Sequence, residues 1–278
     1  MSKTKLSVTL VFVVCLLCVF CCGSAMAEQT DGGVSYTEAP VYLDGLLSCR
    51  GYEINGDTYV PLETVAGLIG YDTTADFNSE TNTLTVKVAD IEISVSAGQE
   101  YMTANGRCLY LPDGYVSIDG TAVFPLDIVA KIFNLDVACD TESNTYDLST
   151  VNKSILASAD EFYNGDDLYW MSRIITAEAG NQCLEGQIAV GNVVLNRVAS
   201  PRYANTVQSV IFQAGQFDPV RSGAVYCNPF DQCVVAAKLA LEGYNVVGNA
   251  LYFQQSRYGD MSNYGSYVMN IGAHYFFA

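Results

Sequence analysis

The chain is predicted to be an α+β protein, with a duplicated module of mixed strands and short helices followed by a mainly helical domain. Three observations point there. The run Ile54-Asn55-Gly56-Asp57-Thr58-Tyr59-Val60-Pro61-Leu62-Glu63-Thr64-Val65-Ala66 is echoed, 64 residues on, by Ile118-Asp119-Gly120-Thr121-Ala122-Val123-Phe124-Pro125-Leu126-Asp127-Ile128-Val129-Ala130. That spacing is long for a solenoid unit and suits a duplicated small module. Thr83 to Val88 alternates with period two, the pattern of a half-buried strand. From Leu168 onward the apolar residues recur at helical spacing instead.

The chain opens with Lys3 and Lys5, an almost wholly apolar run from Leu6 to Cys22, and the small-x-small site Ala25-Met26-Ala27. Residues 1–27 are therefore expected to be a secretory signal peptide, with an uncleaved membrane anchor as the competing reading. Cys21, where a small residue would precede a lipidated cysteine, speaks against a lipoprotein. No second apolar run of spanning length follows, so the chain is expected to be secreted, with no membrane partner after cleavage. Loss of two lysines and no acid takes the formal charge from −17 to −19. Nucleic acid is thereby a poor partner, because its phosphates call for a basic footprint.

Six cysteines lie beyond the signal: Cys49, Cys108, Cys139, Cys183, Cys227 and Cys233. An exterior compartment permits disulfides, and six cysteines allow 15 complete pairings among which sequence does not choose. Three fall on either side of residue 150, so complete pairing needs a bridge between the halves.

Residues 28–40 are polar and glycine-bearing, a leader before the first domain, which is placed at 40–150. In each echo Asn55-Gly56 or Asp119-Gly120 supplies two residues able to take positive φ, the signature of a tight hairpin. Pro61 and Pro125 then open short helices, where a missing N–H costs nothing. Tyr59-Val60-Pro61-Leu62-Glu63-Thr64-Val65-Ala66 resembles the copper-amine-oxidase N-terminal-like domain of exported bacterial proteins. The resemblance does not extend to copper: this half has no histidine, and copper sites favour imidazole. Wall attachment and a plain folded stalk both remain open for it.

Residues 151–166 read as a linker and 167–278 as the second domain. Asp166 or Asp167 is placed to cap a helix through Leu168, Met171, Ser172, Ile175 and Ala179, which Gly180-Asn181 should end. At 100° per residue Glu178 falls beside Met171, Ile174 and Ile175, at the margin of the apolar stripe. A carboxyl held there is partly desolvated, stays protonated near neutral pH and can act as a general acid, as glycoside cleavage requires. The alternative is a carboxylate near a helix end that is simply solvated. A second helix is expected from Glu185 to about Val198, with Glu185 complementing the dipole of its first turn.

Ile175-Thr176-Ala177-Glu178-Ala179, Glu185-Gly186-Gln187-Ile188-Ala189-Val190 and Val193-Val194-Leu195-Asn196-Arg197-Val198 resemble the SleB/CwlJ cell wall hydrolase family. The likeness continues through Ser200-Pro201-Arg202-Tyr203, Gly215-Gln216-Phe217-Asp218-Pro219, Gly248-Asn249-Ala250-Leu251-Tyr252-Phe253 and Ile271-Gly272-Ala273-His274-Tyr275-Phe276. It implies a lysozyme-like domain acting as a lytic transglycosylase on the glycan strands of peptidoglycan, in a cell wall or spore cortex. Glu178 matches the family's catalytic glutamate, and Gln216, Phe217, Tyr252 and His274 become cleft candidates because they lie in matched motifs. That chemistry needs no cofactor and no second carboxylate. Two departures stand out: Gln254-Gln255-Ser256 follows Phe253 where the family has an aromatic and Asn-Pro, and Gly180-Asn181-Gln182-Cys183 replaces its charged turn.

His274 is the only histidine, and neither a Cys-x-x-Cys pair nor a His-Glu-x-x-His helix occurs, so no metal site is expected. Two other readings stay open. Cys183, Cys227 or Cys233 with His274 would make a thiolate–imidazole pair for cutting peptide stems. A wall-binding protein without turnover is the non-catalytic alternative.

Overall fold

The structure, a computed structural model, describes residues 29–31, 33–255 and 265–278. The predicted signal at 1–27 lies outside the described residues, as do Tyr258 and Tyr264. The described chain is mixed α+β, β-rich in its N-terminal part and helical in its C-terminal part. No helix among the described residues is long and apolar enough to cross a membrane.

Strands β1 (Gln29–Asp31), β2 (Val34–Leu43), β3 (Leu46–Ile54) and β4 (Asp57–Pro61) lead into α1 (Leu62–Leu68). An antiparallel meander of β5 (Thr73–Asn78), β6 (Thr83–Val88), β7 (Ile91–Ser96), β8 (Tyr101–Ala104) and β9 (Arg107–Tyr110) follows. Then come β10 (Val116–Ile118), β11 (Thr121–Pro125), α2 (Leu126–Phe133), β12 (Asp136–Asp140) and β13 (Thr145–Ser149). The outer strands form one sheet ordered β10-β11-β4-β3-β2-β13-β12, with β1 paired to β2.

Both echoes fold alike. Asn55 and Gly56 sit at φ 54° and 93°, Asp119 and Gly120 at 49° and 79°, the all-positive turn that suits the twist of a hairpin. Each proline ends its strand and stands at the N-cap, one residue ahead of the predicted first helical position, so its fixed φ makes the strand-to-helix corner. The two strands pair through equivalent positions, Val60 opposite Phe124, with Tyr59 opposite Pro125 and Pro61 opposite Val123. That register sets a local two-fold between the hairpins. The likeness runs on past the helices: Asn78 and Asp140, 62 residues apart, each accept two backbone N–H bonds in the turns before Asn82 and Asn144.

The main core of this part packs Val60, Leu62 and Val65 with Phe124, Ile128 and Phe133 and the inward rows of β6 and β7. The expected strand at 83–88 is β6, alternately buried at Leu84, Val86 and Val88. The expected leader is different: β2 begins at Val34, ahead of the predicted domain start, because Tyr36, Ala39 and Val41 alternate inward.

The expected linker is packed chain. Ser154 N and Leu156 N donate to Phe133 O and Ile132 O, and buried Leu156 joins the first core. Helix α3 (Ala159–Phe162) follows, opened by a capping box in which Ser158 Oγ accepts from Glu161 N and Glu161 Oε2 from Ser158 N. The helical part comprises α4 (Gly165–Ala179), α5 (Leu184–Ala199), α6 (Val207–Ile211), α7 (Asp218–Ser222), a 3-10 turn at Ala224–Tyr226 and α8 (Asp231–Leu241). Strands β14 (Tyr252–Gln254), β15 (Tyr267–Ile271) and β16 (His274–Phe277) form a small sheet ordered β14-β16-β15.

Helix α4 begins earlier than predicted. Asn164 caps it, its Oδ1 accepting from Asp166 N and Asp167 N, so the two acids are first-turn residues that favour the dipole. Gly191 lets α4, α5 and α8 close up: a Cβ there would stand 2.9 Å from Ala240 Cβ and 3.2 Å from Ile175 Cδ1. All six cysteines are free thiols.

Candidate active site

Glu178 lies one residue before the end of α4, beside the buried Ile174 and Ile175, as the helical spacing requires. The helix stops at Gly180, but not through a left-handed cap: its φ is −60°. A Cβ at 180 would stand 3.0 Å from the Phe230 ring, so glycine is there for close approach. Thr176 adds to the same contact, its Oγ1 accepting from Phe230 N at 3.2 Å.

The divergent turn 180–183 has a structural use. Gln182 Oε1 accepts from Ala273 N at 2.9 Å, which ties the end of α4 to the β15–β16 turn. Buried Gln187 Nε2 donates back to Gln182 O. Glu185 is exposed in the first turn of α5, in keeping with its dipole role, and the break between α4 and α5 keeps it from pairing with Glu178.

Helix α5 positions the opposite wall. Asn192 Nδ2 donates to Tyr244 O while its Oδ1 accepts from Val246 N, and Asn196 Nδ2 donates to Gly248 O and Ala250 O. Arg197 Nε donates to Leu251 O at 2.7 Å. These bonds lay the chain from 244 to 251 along α5 and deliver Tyr252 and Phe253 to the cleft.

The cleft, of about 420 Å³, is lined by Glu178, Arg197, Gly215, Gln216, Asp218, Tyr252 and Phe253. Arg197 is only 4 % exposed, its guanidinium carbon 5.0 Å from the Phe217 ring centre and 5.2 Å from that of Tyr203. Its Nη1 is buried without a hydrogen-bond partner. Burial pushes the Glu178 carboxyl up to about 7; the Asp218 carboxylate adds to the rise and Arg197 opposes it. A carboxyl that takes and returns a proton near neutral pH, beside a fixed cation that steadies its ionised form, is equipped for general acid–base chemistry.

Of the predicted cleft residues, Gln216 and Tyr252 line the cavity with Glu178. Phe217 and His274 do not. Phe217 is buried behind the wall, under Arg197 and 6.4 Å from the Phe253 ring. His274 is 1 % exposed and enclosed by Phe253 and Phe276, because β16 alternates and its inward row is core. Burial lowers its pKa, and its Nδ1 has no hydrogen-bond partner, so no thiol meets that nitrogen. The suggested cysteine pair thus lacks its base: Cys183 and Cys227 are exposed, and Cys233 is buried in the core with its thiol on Thr176. Arg197 and Asp218 were within quoted motifs but carried no signal of their own, since their roles depend on α5 and the 215–218 loop meeting α4.

Among the described residues no three His, Cys, Asp or Glu side chains gather as metal ligands. Residues 181–277 match the family described as Cell Wall Hydrolase, and residues 47–148 the Copper amine oxidase N-terminal domain. The C-terminal part carries a cell wall hydrolase domain. Its matched stretch begins three residues after Glu178, so the glutamate's assignment leans on the cleft. A spore cortex-lytic enzyme of Bacillus cereus (strain ATCC 14579) is 36 % identical over 91 residues, 33 % of this chain and 35 % of that enzyme. One from Bacillus subtilis (strain 168) is 29 % identical over 112 residues, 40 % of this chain and 37 % of that enzyme. The chain thus spans about a third of the length of the curated relatives it matches. Among solved structures, the catalytic domain of the germination-specific lytic transglycosylase SleB from Bacillus anthracis is 31 % identical to the hydrolase domain's region. That match covers 42 % of this chain and 97 % of the other, with a TM-score of 0.39.

Proposed function

We propose that this chain is an exported lytic transglycosylase that cuts peptidoglycan glycan strands between N-acetylmuramic acid and N-acetylglucosamine. The observation that carries the reading is the half-buried Glu178, raised to about 7, in a cleft that also holds Arg197. Protonated Glu178 gives its proton to the glycosidic oxygen as the bond from the muramoyl C1 breaks. The carboxylate left behind, steadied by Arg197, takes the proton of the muramoyl C6 hydroxyl as that oxygen bonds to C1. The proton balance closes on one carboxyl, and the product is a 1,6-anhydro sugar. Gln216 and Tyr252 contact the sugar, while Phe217 and His274 back the wall.

In this reading residues 1–27 are the secretory signal, 40–150 a stalk that arose by duplication, 151–166 the connecting strap and 167–278 a lysozyme-like catalytic domain. The pairing of the echoed strands through equivalent residues supports duplication. The site of action is a cell wall or spore cortex.

The test is mass spectrometry of fragments released from purified peptidoglycan. Anhydro-muropeptides from the parent, falling by about 10²–10⁴-fold in Glu178→Gln, are expected. Cleaved stem peptides insensitive to that substitution would overturn the assignment.

A further inference from the structure

A second cavity, also of about 420 Å³, lies away from Glu178 where the stalk meets the hydrolase domain. Its volume is within the roughly 300–1,000 Å³ of ligand pockets. Tyr110 and Tyr146 contribute from the stalk and Tyr244 from the loop after α8, with Tyr110 and Tyr244 edge to face across the seam at 5.7 Å. Three exposed carboxylates stand round it: Asp57 in the β3–β4 hairpin, Asp113 after β9 and Asp127 in the first turn of α2. Thr58 also lines it, 8 % exposed, with an Oγ1 that has no hydrogen-bond partner. No lysine, arginine or histidine is among the lining residues.

These features define a ligand by exclusion and by fit. An anion would meet only carboxylates. A metal ion needs several of them on one point, and among the described residues no such group exists. Lys131, the nearby cation, is committed to Glu242 at 2.8 Å. What remains is a neutral ligand with apolar faces for tyrosine rings and many hydroxyls for separately placed acceptors. A saccharide has both properties.

We propose that this groove is a saccharide-binding subsite that holds a neutral, N-acetylated glycan segment on the stalk side of the molecule, apart from the segment in the Glu178 cleft. The choice of sugar rests on the proposed function; the groove's chemistry does not. Such a site would keep the enzyme on an insoluble polymer between cuts, because a second contact on the same strand makes rebinding intramolecular.

The experiment is calorimetric titration of N-acetylglucosamine tetramer into the full chain carrying Glu178→Gln. Two sites per chain are expected. Adding Asp113→Asn, an exposed change with no bearing on folding, is expected to weaken one of them by about tenfold and leave the other unchanged. Adding Tyr146→Ala as well should abolish it. Isotherms that superimpose with and without these changes would overturn the proposal, as would a single site in the parent. So would an Asp113-dependent site that takes tetralysine and not the sugar. If the parent fails to release anhydro-muropeptides while the Asp113-dependent sugar site persists, the proposed activity falls and the subsite stands.

Discussion

At the scale of single residues the cleft is an electrostatic balance on one carboxyl. Glu178 must be protonated to begin the reaction, so kcat/KM is expected to fall about tenfold per unit as pH rises above about 7. Its neighbours should move that limb in opposite directions. Arg197→Gln removes the group that lowers Glu178 and should shift the limb upward, while Asp218→Asn removes one that raises it and should shift it downward. Rate profiles of the two variants check this, and equal shifts would show that the residues do not act on Glu178. The raised pKa also carries a stability sign. The native state holds a proton that the unfolded chain releases in the ordinary carboxylate range, so stability is full below that range and declines as pH rises to about 7. Glu178→Gln should therefore be more stable than the parent at pH 8, on the order of 1–2 kcal/mol after allowing for solvent screening, and equally stable at pH 4. Thermal melts at the two pH values measure it.

At the scale of elements, what could be read in advance was what local chemistry dictates. Asn-Gly and Asp-Gly turns, prolines at helix entry, the alternation of β6 and the stripe of α4 all express short-range rules, and each element formed where those residues stand. Other features depend on partners distant in sequence. The polar stretch before residue 40 became β2 because β3 and β13 flank it. The 151–166 segment packs down because α2 offers backbone carbonyls to Ser154 and Leu156. Arg197 counts as a site residue only because the 244–251 chain is pinned across α5. Gly191 is a similar case, an unremarked glycine in sequence and a contact point of three helices in space. Gly191→Val should push α8 and α4 away from α5 and lower stability by about 2–3 kcal/mol, a loss that urea unfolding would resolve. Unchanged stability would mean that the helices slide without strain.

At the scale of the whole molecule the question is what holds the stalk to the hydrolase domain. The β8–β9 hairpin reaches across: Arg107 Nε and Nη2 bind Glu242 Oε1 and Oε2 at 2.7 and 2.6 Å, and its guanidinium carbon lies 3.4 Å from the Phe162 ring centre. Glu242, past the end of α8, is fully buried and also takes Lys131 Nζ at 2.8 Å and the Tyr163 hydroxyl at 2.7 Å. Tyr163 in turn accepts from Cys108 N, and Lys238 Nζ donates to Gly106 O. Burial would raise the Glu242 pKa, but the bonds from Arg107, Lys131 and Tyr163 outweigh it and hold the carboxyl below its ordinary value. This contribution is present above the ordinary carboxylate pKa and is lost as pH falls through the lowered native one, so docking should loosen in acid. Glu242→Gln leaves two cations buried without their counter-charge and should cost about 3–5 kcal/mol, whereas Arg107→Met with Glu242→Leu removes charges of both signs and should recover part of that. Protease sensitivity of the segment between Val151 and Phe162, followed beside thermal melts, separates undocking from global unfolding. If Glu242→Gln lowers the melting temperature without exposing that segment, the cluster serves the hydrolase domain alone. If the segment opens first, the buried carboxyl is what makes stalk and catalytic domain one body, and the groove between them, with Tyr244 on one side and Tyr110 on the other, depends on it.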